Sequence, residues 1–248
     1  MTNTPRSFAM GMAATGALLS GVAVANAQAN KSPWESSAAL GFTLTRGNSS
    51  TLLFTANVLT SRKQGNNEIS LGADATYGAN SGVTTAQSFR GFGQYNRLFS
   101  DRAYGFVRAE GLFDKIAAIQ PRVTISAGLG YYFIKNDRTK LSGEVGPAVI
   151  YEHQSGARPR DRTYLSLRVA ERLEHKLSDK TKIWQSAEFL PQVDNFNNYI
   201  LNLEAGLETE LYKNLSLRTY VQDSYHNIPV PGRQRNDLKF VTAIAYKF

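Results

Sequence analysis

Hydrophobic and polar positions alternate with a period of two over most of this chain. The last nine residues, FVTAIAYKF, put Phe240, Thr242, Ile244, Tyr246 and Phe248 on one side of an extended segment. A period of two is typical of a β-strand with two different faces. Comparable runs of ten or more residues recur along the sequence, longer than the usual strand of a globular protein. Their length is the length that a tilted strand needs to cross a lipid bilayer.

The alternation predicts an all-β fold, an antiparallel up-and-down transmembrane β-barrel of about twelve strands, with ten as the alternative count. The predicted strands cover residues 36–46, 50–61, 68–77, 86–99, 103–115, 122–134, 140–153, 162–174, 181–193, 199–211, 215–227 and 237–248. In a closed barrel the last strand pairs with the first, so no strand edge is left unpaired. Phe248 then faces outward in the aromatic girdle at the interface.

The connections predict which end of the barrel is which. One set is short and rich in Asn, Asp and Gly: KQGNN, FSDR, KNDRT, LSDK and YKN. The other set is mostly longer: GANSGVTTA, IAAIQP, QSGARPRD, DNFNN and NIPVPGRQRN. Short periplasmic turns and longer outer loops are typical of outer-membrane barrels, and they fit a barrel with both termini in the periplasm.

Five residues conflict with this pattern. Pro147 and Pro191 lie inside predicted strands, where each removes a ladder hydrogen bond, so we expect a bulge or a misplaced strand end. Arg97, Glu171 and Asp223 fall on the apolar side of their strands. Each lies near a strand end, where an outward charge costs little.

The first 29 residues carry one early cation, Arg6, and then an uncharged run that ends in small residues. This pattern predicts a secretory signal peptide over residues 1–29 and a barrel over residues 30–248. The remaining sequence has no run near the roughly 20 apolar residues of a spanning helix. We therefore expect the bacterial outer membrane as the location. The chain has no cysteine, so neither a disulfide nor a thiolate site is possible.

Charge changes the picture of the barrel interior. Lysine and arginine number 28 against 20 acidic residues, a formal net charge of +8. Many charges fall on the polar side of the strands, and the predicted pore-lining residues are Asp74, Arg90, Arg108, Glu110, Glu144, Arg168, Glu188, Glu204, Glu208, Arg218 and Lys239. Hairpin register puts Glu188 beside Glu204 and Arg168, and Glu208 near Arg218. The alternatives are a salt-bridged ladder, which we favour, and a Glu188–Glu204 carboxylate pair with one raised pKa.

A second basic group falls in the outer loops. Its predicted members are Arg158, Arg160, Arg162, Arg233 and Arg235. Guanidinium groups there suit phosphates of outer-membrane lipids, including lipopolysaccharide, or draw anions toward a channel mouth. The alternative is an ordinary solvated loop surface.

Other chemistry finds little support. Residues 90–97, RGFGQYNR, resemble half of an RNA-binding motif but have Gln94 where a stacking aromatic belongs, so we expect no nucleic-acid partner. Ser224 and His226 lie two apart, roughly 7 Å along a strand, with no orienting carboxylate identifiable, so we expect no catalytic residue. His153 and His175 cannot be placed with His226, so no metal site and no cofactor are predicted.

The first predicted strand and turn, from Trp34 to Thr51, carry a resemblance. Trp34, Gly41 and the turn Arg46-Gly47-Asn48-Ser49 resemble a family of outer-membrane proteins often labelled salt-induced. The resemblance implies a barrel in the outer membrane and brings no catalytic residues. A terminal Phe such as Phe248 resembles the signal that outer-membrane barrels present to the barrel-assembly machinery.

Two functions follow from the predicted barrel. The first is a narrow passive channel for ions or small hydrophilic solutes, lined by the mixed-charge face. The second is a non-conducting barrel that acts in envelope integrity or lipopolysaccharide binding through its basic outer loops. We expect no enzyme.

Overall fold

The computed structural model describes residues 33–46, 52–80, 83–156 and 158–248. Twelve β-strands fill these ranges: β1 Trp34–Arg46, β2 Leu52–Gln64, β3 Asn67–Asn80, β4 Val83–Leu98, β5 Ala103–Asp114, β6 Ile119–Lys135, β7 Thr139–Gln154, β8 Arg160–Lys176, β9 Thr181–Gln192, β10 Asn195–Tyr212, β11 Leu215–His226 and β12 Asn236–Lys247. The predicted count of twelve is confirmed. The predicted signal peptide and most of the first turn lie outside the described residues. Within the described ranges, no helix has the length and apolar character needed to span a membrane.

Each strand pairs antiparallel with its sequence neighbours, and β12 pairs with β1 to close the barrel. The closing pairs include Ala39 opposite Ala245 and Gly41 opposite Ala243. Beyond β12, the backbone N–H of Phe248 donates to the carbonyl of Ser36 at 3.0 Å. The C-terminal strand is therefore paired on both sides, as the alternation predicted.

The outside of the barrel is an apolar belt, which is the surface that lipid requires. Leu40 is 71% exposed, Leu129 64% and Leu165 57%, although side chains of this size are normally buried in a soluble domain. The ring of Phe248 is also outward, 65% exposed, and stacks on Tyr246 with ring centres 6.3 Å apart. Burial alternates along the strands, so the polar side chains between these residues face the interior.

The outward charges Arg97 and Glu171 have polar side-chain partners. Arg97 Nη1 donates to Asn67 Oδ1 at 2.9 Å, and Gln185 Nε2 donates to Glu171 Oε1 at 2.5 Å. Both pairs lie near the short turns, as expected. Asp223 lies near the opposite end of β11.

The short turns are fixed by side-chain oxygens that accept from the backbone. Asn136 Oδ1 accepts from Arg138 N at 3.0 Å and from Thr139 N at 2.7 Å. Ser178 Oγ accepts from Lys180 N and Thr181 N in the same way. Short polar side chains at the start of a turn favour this arrangement, which is why these segments end strands.

The opposite end, which we call the outer end, has shorter connections than the sequence suggested. Strands β3 and β4 are joined by two residues and β9 and β10 by two, where loops of nine and five residues were predicted. Asn80 pairs with Val83, so the ladder extends beyond the predicted ends of both strands, although Gly78 and Asn80 favour a loop in isolation. The longest outer connection is residues 227–235, between β11 and β12.

The two prolines behave differently. The expected bulge or strand end at Pro147 was wrong, because β6 and β7 keep one register on both sides of it, from Ser126 opposite Ala148 to Leu129 opposite Val145. The pairing is only interrupted at the proline, which has no N–H to donate.

Pro191 fits its prediction. It lies one residue before the end of β9, opposite Tyr199, and the register shifts between Asn195 and Tyr199. The irregularity in the partner strand therefore falls where the proline has no N–H to donate to the ladder.

Candidate functional site: the charged lumen

All eleven predicted pore-lining residues lie on the inward face of the barrel. Ten of them form hydrogen bonds or ion pairs with other inward side chains, and Lys239 lies opposite Gln222 in the β11–β12 register. The alternation that puts apolar side chains into lipid turns every second polar residue inward. The interior is therefore a network of paired charges, which we describe from the centre toward each end.

Arg168 is the centre of this network. Its Nη1 donates to Glu144 at 2.6 Å and its Nε to Glu188 at 2.6 Å, so one guanidinium bridges two carboxylates. Glu144 also accepts from Gln94 Nε2 at 2.7 Å and from Tyr104 Oη at 3.0 Å. Gln94 is on β4 and Glu144 on β7, so this contact crosses part of the lumen.

Two further ion pairs lie beside this junction. Arg90 binds Asp74 at 2.9 Å, and Arg108 binds Glu110 at 2.6 Å. The guanidinium of Arg108 also covers the ring of Phe92 at 4.2 Å, a cation–π geometry. The ring of Phe92 therefore lies inside the barrel beneath Arg108.

The carboxylate-pair alternative does not match the geometry. Glu188 accepts from Arg168 on one oxygen and from Asn202 on the other, at 3.0 Å. Glu204 accepts from Trp184 Nε1 at 2.7 Å and from Gln222 Nε2 at 3.2 Å. The two carboxylates are held by separate donors and do not form the predicted pair.

At the short-turn end, three cationic side chains surround the carboxylate of Glu208. Arg218 Nη2 lies 2.8 Å from it, Lys247 Nζ 2.7 Å and Lys182 Nζ 3.8 Å. The Glu208 side chain is only 2% exposed. Arg218, predicted to lie near Glu208, also donates to Asn57 on β2 at 3.3 Å, across the inner face of β12 and β1.

At the outer end, Arg122 pairs with Glu152, and both side chains are nearly excluded from water. Arg122 Nη1 also lies 3.2 Å from Nε2 of His226. Because Arg122 is on β6 and His226 on β11, this contact joins almost opposite walls of the barrel.

Side-chain rotamers bridge the along-strand spacing of Ser224 and His226. The side chains turn toward each other and bring Ser224 Oγ to 3.5 Å from His226 Nε2. However, a guanidinium can only donate, so Nε2 already accepts from Arg122 and is poorly placed to act as a base. His153 pairs instead with Asp161, and His175 with Thr139. In the described ranges no group of three or more acidic, histidine or cysteine side chains is placed to hold a metal ion.

Two cavities interrupt the network. The central cavity is lined by Arg108, Glu110, Arg168 and Glu188 among others. Ser126 also lines it, and its hydroxyl has no hydrogen-bond partner among the described residues. The outer cavity lies beside the Arg122–Glu152 pair, and each of the two cavities has room for about one water molecule.

The predicted basic rim is mostly where the sequence put it. Arg158, Arg160, Arg233 and Arg235 are exposed at the outer end. Arg162 is not a rim residue: it is half-buried, lines the outer cavity and lies over Tyr164 at 5.3 Å. Arg162 and Arg168 are an even number of residues apart on β8, so their side chains face the same side. Because β8 begins at Arg160, Arg162 already lies in the strand and its side chain faces inward.

A closed twelve-stranded barrel with an apolar belt and a polar interior defines a porin-like β-barrel of the bacterial outer membrane. A family model described as "Protein of unknown function, DUF481" matches residues 38–248. The chain therefore belongs to the DUF481 family.

The chain is similar to several solved structures. The NanC porin is similar with a TM-score of 0.59 and 7% identity, over 85% of this chain and 100% of that chain. The KdgM porin has a TM-score of 0.47 and 11% identity, over 86% and 99%. An anion-selective porin from Comamonas acidovorans has a TM-score of 0.45 and 7% identity, over 87% and 98%. A search of curated proteins found no match.

Proposed function

We propose that this barrel is a narrow passive channel for ions or small hydrophilic solutes, with a mixed-charge lumen. The observation that carries the proposal is the Arg90–Asp74 pair, whose side chains are 28% and 24% exposed although both face inward. Since the wall is closed, that exposure reaches space inside the barrel that admits water. The two cavities add further polar space along the same interior.

The contacts across the lumen make the proposed path narrow. Arg122 to His226 at 3.2 Å and Gln94 to Glu144 at 2.7 Å leave no wide opening between the walls they join. We therefore expect small single-channel steps and exclusion of large solutes. A mixed lumen of this kind favours ions whose sign is opposite to the local excess charge.

The test is single-channel recording of the purified barrel in planar bilayers, with reversal potentials in a salt gradient. Arg108→Ala removes a lumen cation and should shift selectivity toward cations. The matched control is Arg97→Ala, which removes an outward arginine from the neighbouring strand β4 and should leave selectivity unchanged. A barrel that shows the heat-dependent gel shift of a folded protein but stays electrically silent would contradict the proposal.

A second function has its own support. Three lumen side chains are almost excluded from water: Arg122 is 9% exposed, Glu152 4% and Arg168 6%. Such burial is expected of an interior that is closed by its own ion pairs. In that case the exposed rim arginines would bind phosphates of lipopolysaccharide and contribute to envelope integrity. Replacing Arg233 and Arg235 with Gln should then lower lipopolysaccharide binding, and unchanged binding would exclude the rim from this role.

Two smaller proposals concern assembly and expression. Phe248 projects its ring outward while its backbone pairs with Ser36, which leaves the ring accessible to the barrel-assembly machinery. Phe248→Ala should reduce barrel yield in cells and not refolding in vitro; equal yield in cells would refute this role. Salt-induced expression, carried over from the resembling family, would be refuted by equal protein levels at low and high external salt.

A further inference from the structure

One side of the barrel interior is filled by its own side chains. On the inner faces of β6, β7 and β8, which we call the filled side, Ser126 is 2% exposed and Ser166 1%. Arg122 and Glu152 are paired there, and Arg168 bridges two carboxylates. The central cavity, which Ser126 and Arg168 line, has room for about one water molecule. A solute could pass along this side only if several charged side chains moved.

The longest outer connection, residues 227–235, covers the outer end of the filled side. Its Val230 is buried in a cluster with Ala117, Ala118 and Ile119, from the β5–β6 connection and the start of β6. Because β5 and β11 lie opposite each other in the ring of twelve strands, the connection reaches across the barrel to make this contact. The outer cavity, enclosed between the connection and β6–β10, has room for about one water molecule. The filled side is therefore closed at its outer end as well.

The other side of the interior is more open. Asp74 on β3 and Arg90 on β4 are 24% and 28% exposed although both face inward. Gln222 on β11 and Lys239 on β12 lie side by side in the register, face inward and are only half-buried. Strands β1 and β2 connect these two pairs of strands, and β1 lies opposite β7 in the ring. The accessible side chains therefore share one side of the wall, which we call the open side, facing the filled side.

The charges along the open side are incompletely balanced. Asp74 and Arg90 lie directly opposite each other in the β3–β4 register and form an ion pair at 2.9 Å. Glu204 also faces the lumen, but its carboxylate is held by the neutral donors Trp184 and Gln222. Within the described ranges Glu204 forms no ion pair, and it lies close enough for its charge to act on Arg90. An ion on this side therefore meets one guanidinium near two carboxylates.

We infer that solutes pass along the open side of the lumen and that Arg90, with Asp74 and Glu204, determines which sign of ion is admitted. A charged group selects most strongly where water and ions reach it, and these side chains are more accessible than the ion pairs of the filled side. The inference rests on the proposed channel function for the passage of ions. Access of a water-soluble reagent to the open side does not depend on conduction.

The first test is chemical access in the full barrel, whose sequence contains no cysteine. Ser88→Cys introduces a thiol on the inner face of β4, two residues from Arg90, where the native serine is half-buried. The matched variant Ser166→Cys introduces one on the inner face of β8, where the native serine is 1% exposed. A charged methanethiosulfonate should modify Ser88→Cys about tenfold faster or more in phospholipid vesicles, measured by mass spectrometry. Equal rates would overturn the inference, whether or not the barrel conducts.

The second test is the reversal potential of single channels in a salt gradient. Arg90→Gln leaves Asp74 and Glu204 without their nearby cation and should raise the cation-to-anion permeability ratio about twofold or more. Asp74→Asn should lower the ratio. The control Arg122→Gln removes the same charge from the filled side and should change the ratio less than either variant.

The heat-dependent gel shift verifies that every variant is folded before it is compared. If the parent conducts and both Arg90→Gln and Asp74→Asn keep its permeability ratio, the inference is wrong and the channel function stands. A folded parent that carries no current would instead contradict the channel function, and with it the role of Arg90 in selecting ions. The two modification rates would still decide whether the open side admits small solutes.

Discussion

Replacing Arg168 should destabilise the barrel more than any other single change in the lumen that we consider. Its side chain is 6% exposed, and its partners Glu144 and Glu188 are 11% and 18% exposed. Arg168→Met keeps most of the volume but leaves two carboxylates near the centre of the interior without their cation. Removing one partner of a buried ion pair costs about 3–5 kcal/mol, mainly because the remaining charge is desolvated and unpaired. We expect a loss in that range, since the donors Gln94 and Tyr104 remain but carry no charge.

The matched control lies on the same strand. Arg172→Met removes an equivalent bridge to Glu174, but those side chains are 49% and 38% exposed. An exposed ion pair contributes about 0–1 kcal/mol, so this variant should be nearly as stable as the parent. The two variants make the same side-chain change and differ mainly in burial, although Arg168 bridges two carboxylates and Arg172 binds one.

The assay is urea unfolding in phospholipid vesicles, with tryptophan fluorescence as the signal and the free energy of unfolding as the result. A triple variant, Arg168→Met with Glu144→Gln and Glu188→Gln, should recover much of the loss because no unpaired buried charge is left. If Arg168→Met and Arg172→Met lie within about 1 kcal/mol of each other, water solvates the centre of the lumen as well as its end. The lumen would then be a wide water-filled pore and not an interior closed by its ion pairs.

Two further predictions concern the same interior. A Cβ added at Gly206 would lie 2.5 Å from Cη2 of the Trp184 ring, so Gly206→Ala should lower the free energy of unfolding in urea by about 1–3 kcal/mol. The control Gly111→Ala, with nothing within 4 Å of the new Cβ, should leave stability unchanged. Equal costs would mean that the indole moves freely. Glu208→Gln leaves three cations around a buried site and should lower the free energy of unfolding by about 3 kcal/mol, with partial recovery in high salt. The control Glu210→Gln should change stability little. A Glu208→Gln barrel as stable as the parent would show that these cations are already solvated.

Strand positions and the facing of their side chains were predictable because both depend on local alternation. A lipid-facing residue must be apolar and its neighbours in sequence must not be, so parity alone puts Phe240 outside and Lys239 inside. The same parity carries Arg162 inward with Arg168, a signal that the loop-like sequence around Arg162 obscures. Its place beside the outer cavity was not predictable, because that cavity is also lined by Val230, from a connection 68 residues further along the chain.

Contacts across the lumen depend on quantities that no segment encodes by itself. Arg122 and His226 are 104 residues apart and Arg218 and Asn57 are 161 apart. Which of them meet depends on the strand number, on the stagger between strands and on side-chain rotamers. Hairpin counting could place Glu208 near Arg218, because those strands are neighbours.

The width of the lumen is set by where the small residues lie. On the closing seam of β1 and β12, Ala39, Ala243 and Ala245 face inward and are buried, with exposures of 5%, 5% and 0%. A wall of such short side chains leaves room for long ones from elsewhere, and Arg218 extends past it to Asn57 on β2. The interior is therefore asymmetric. Short side chains line the β1–β12 side, and arginine and tyrosine side chains from the neighbouring strands occupy the space in front of them. Because that filling consists of paired charges and not of apolar bulk, the lumen can be nearly closed and still accept water and small polar solutes between its ion pairs.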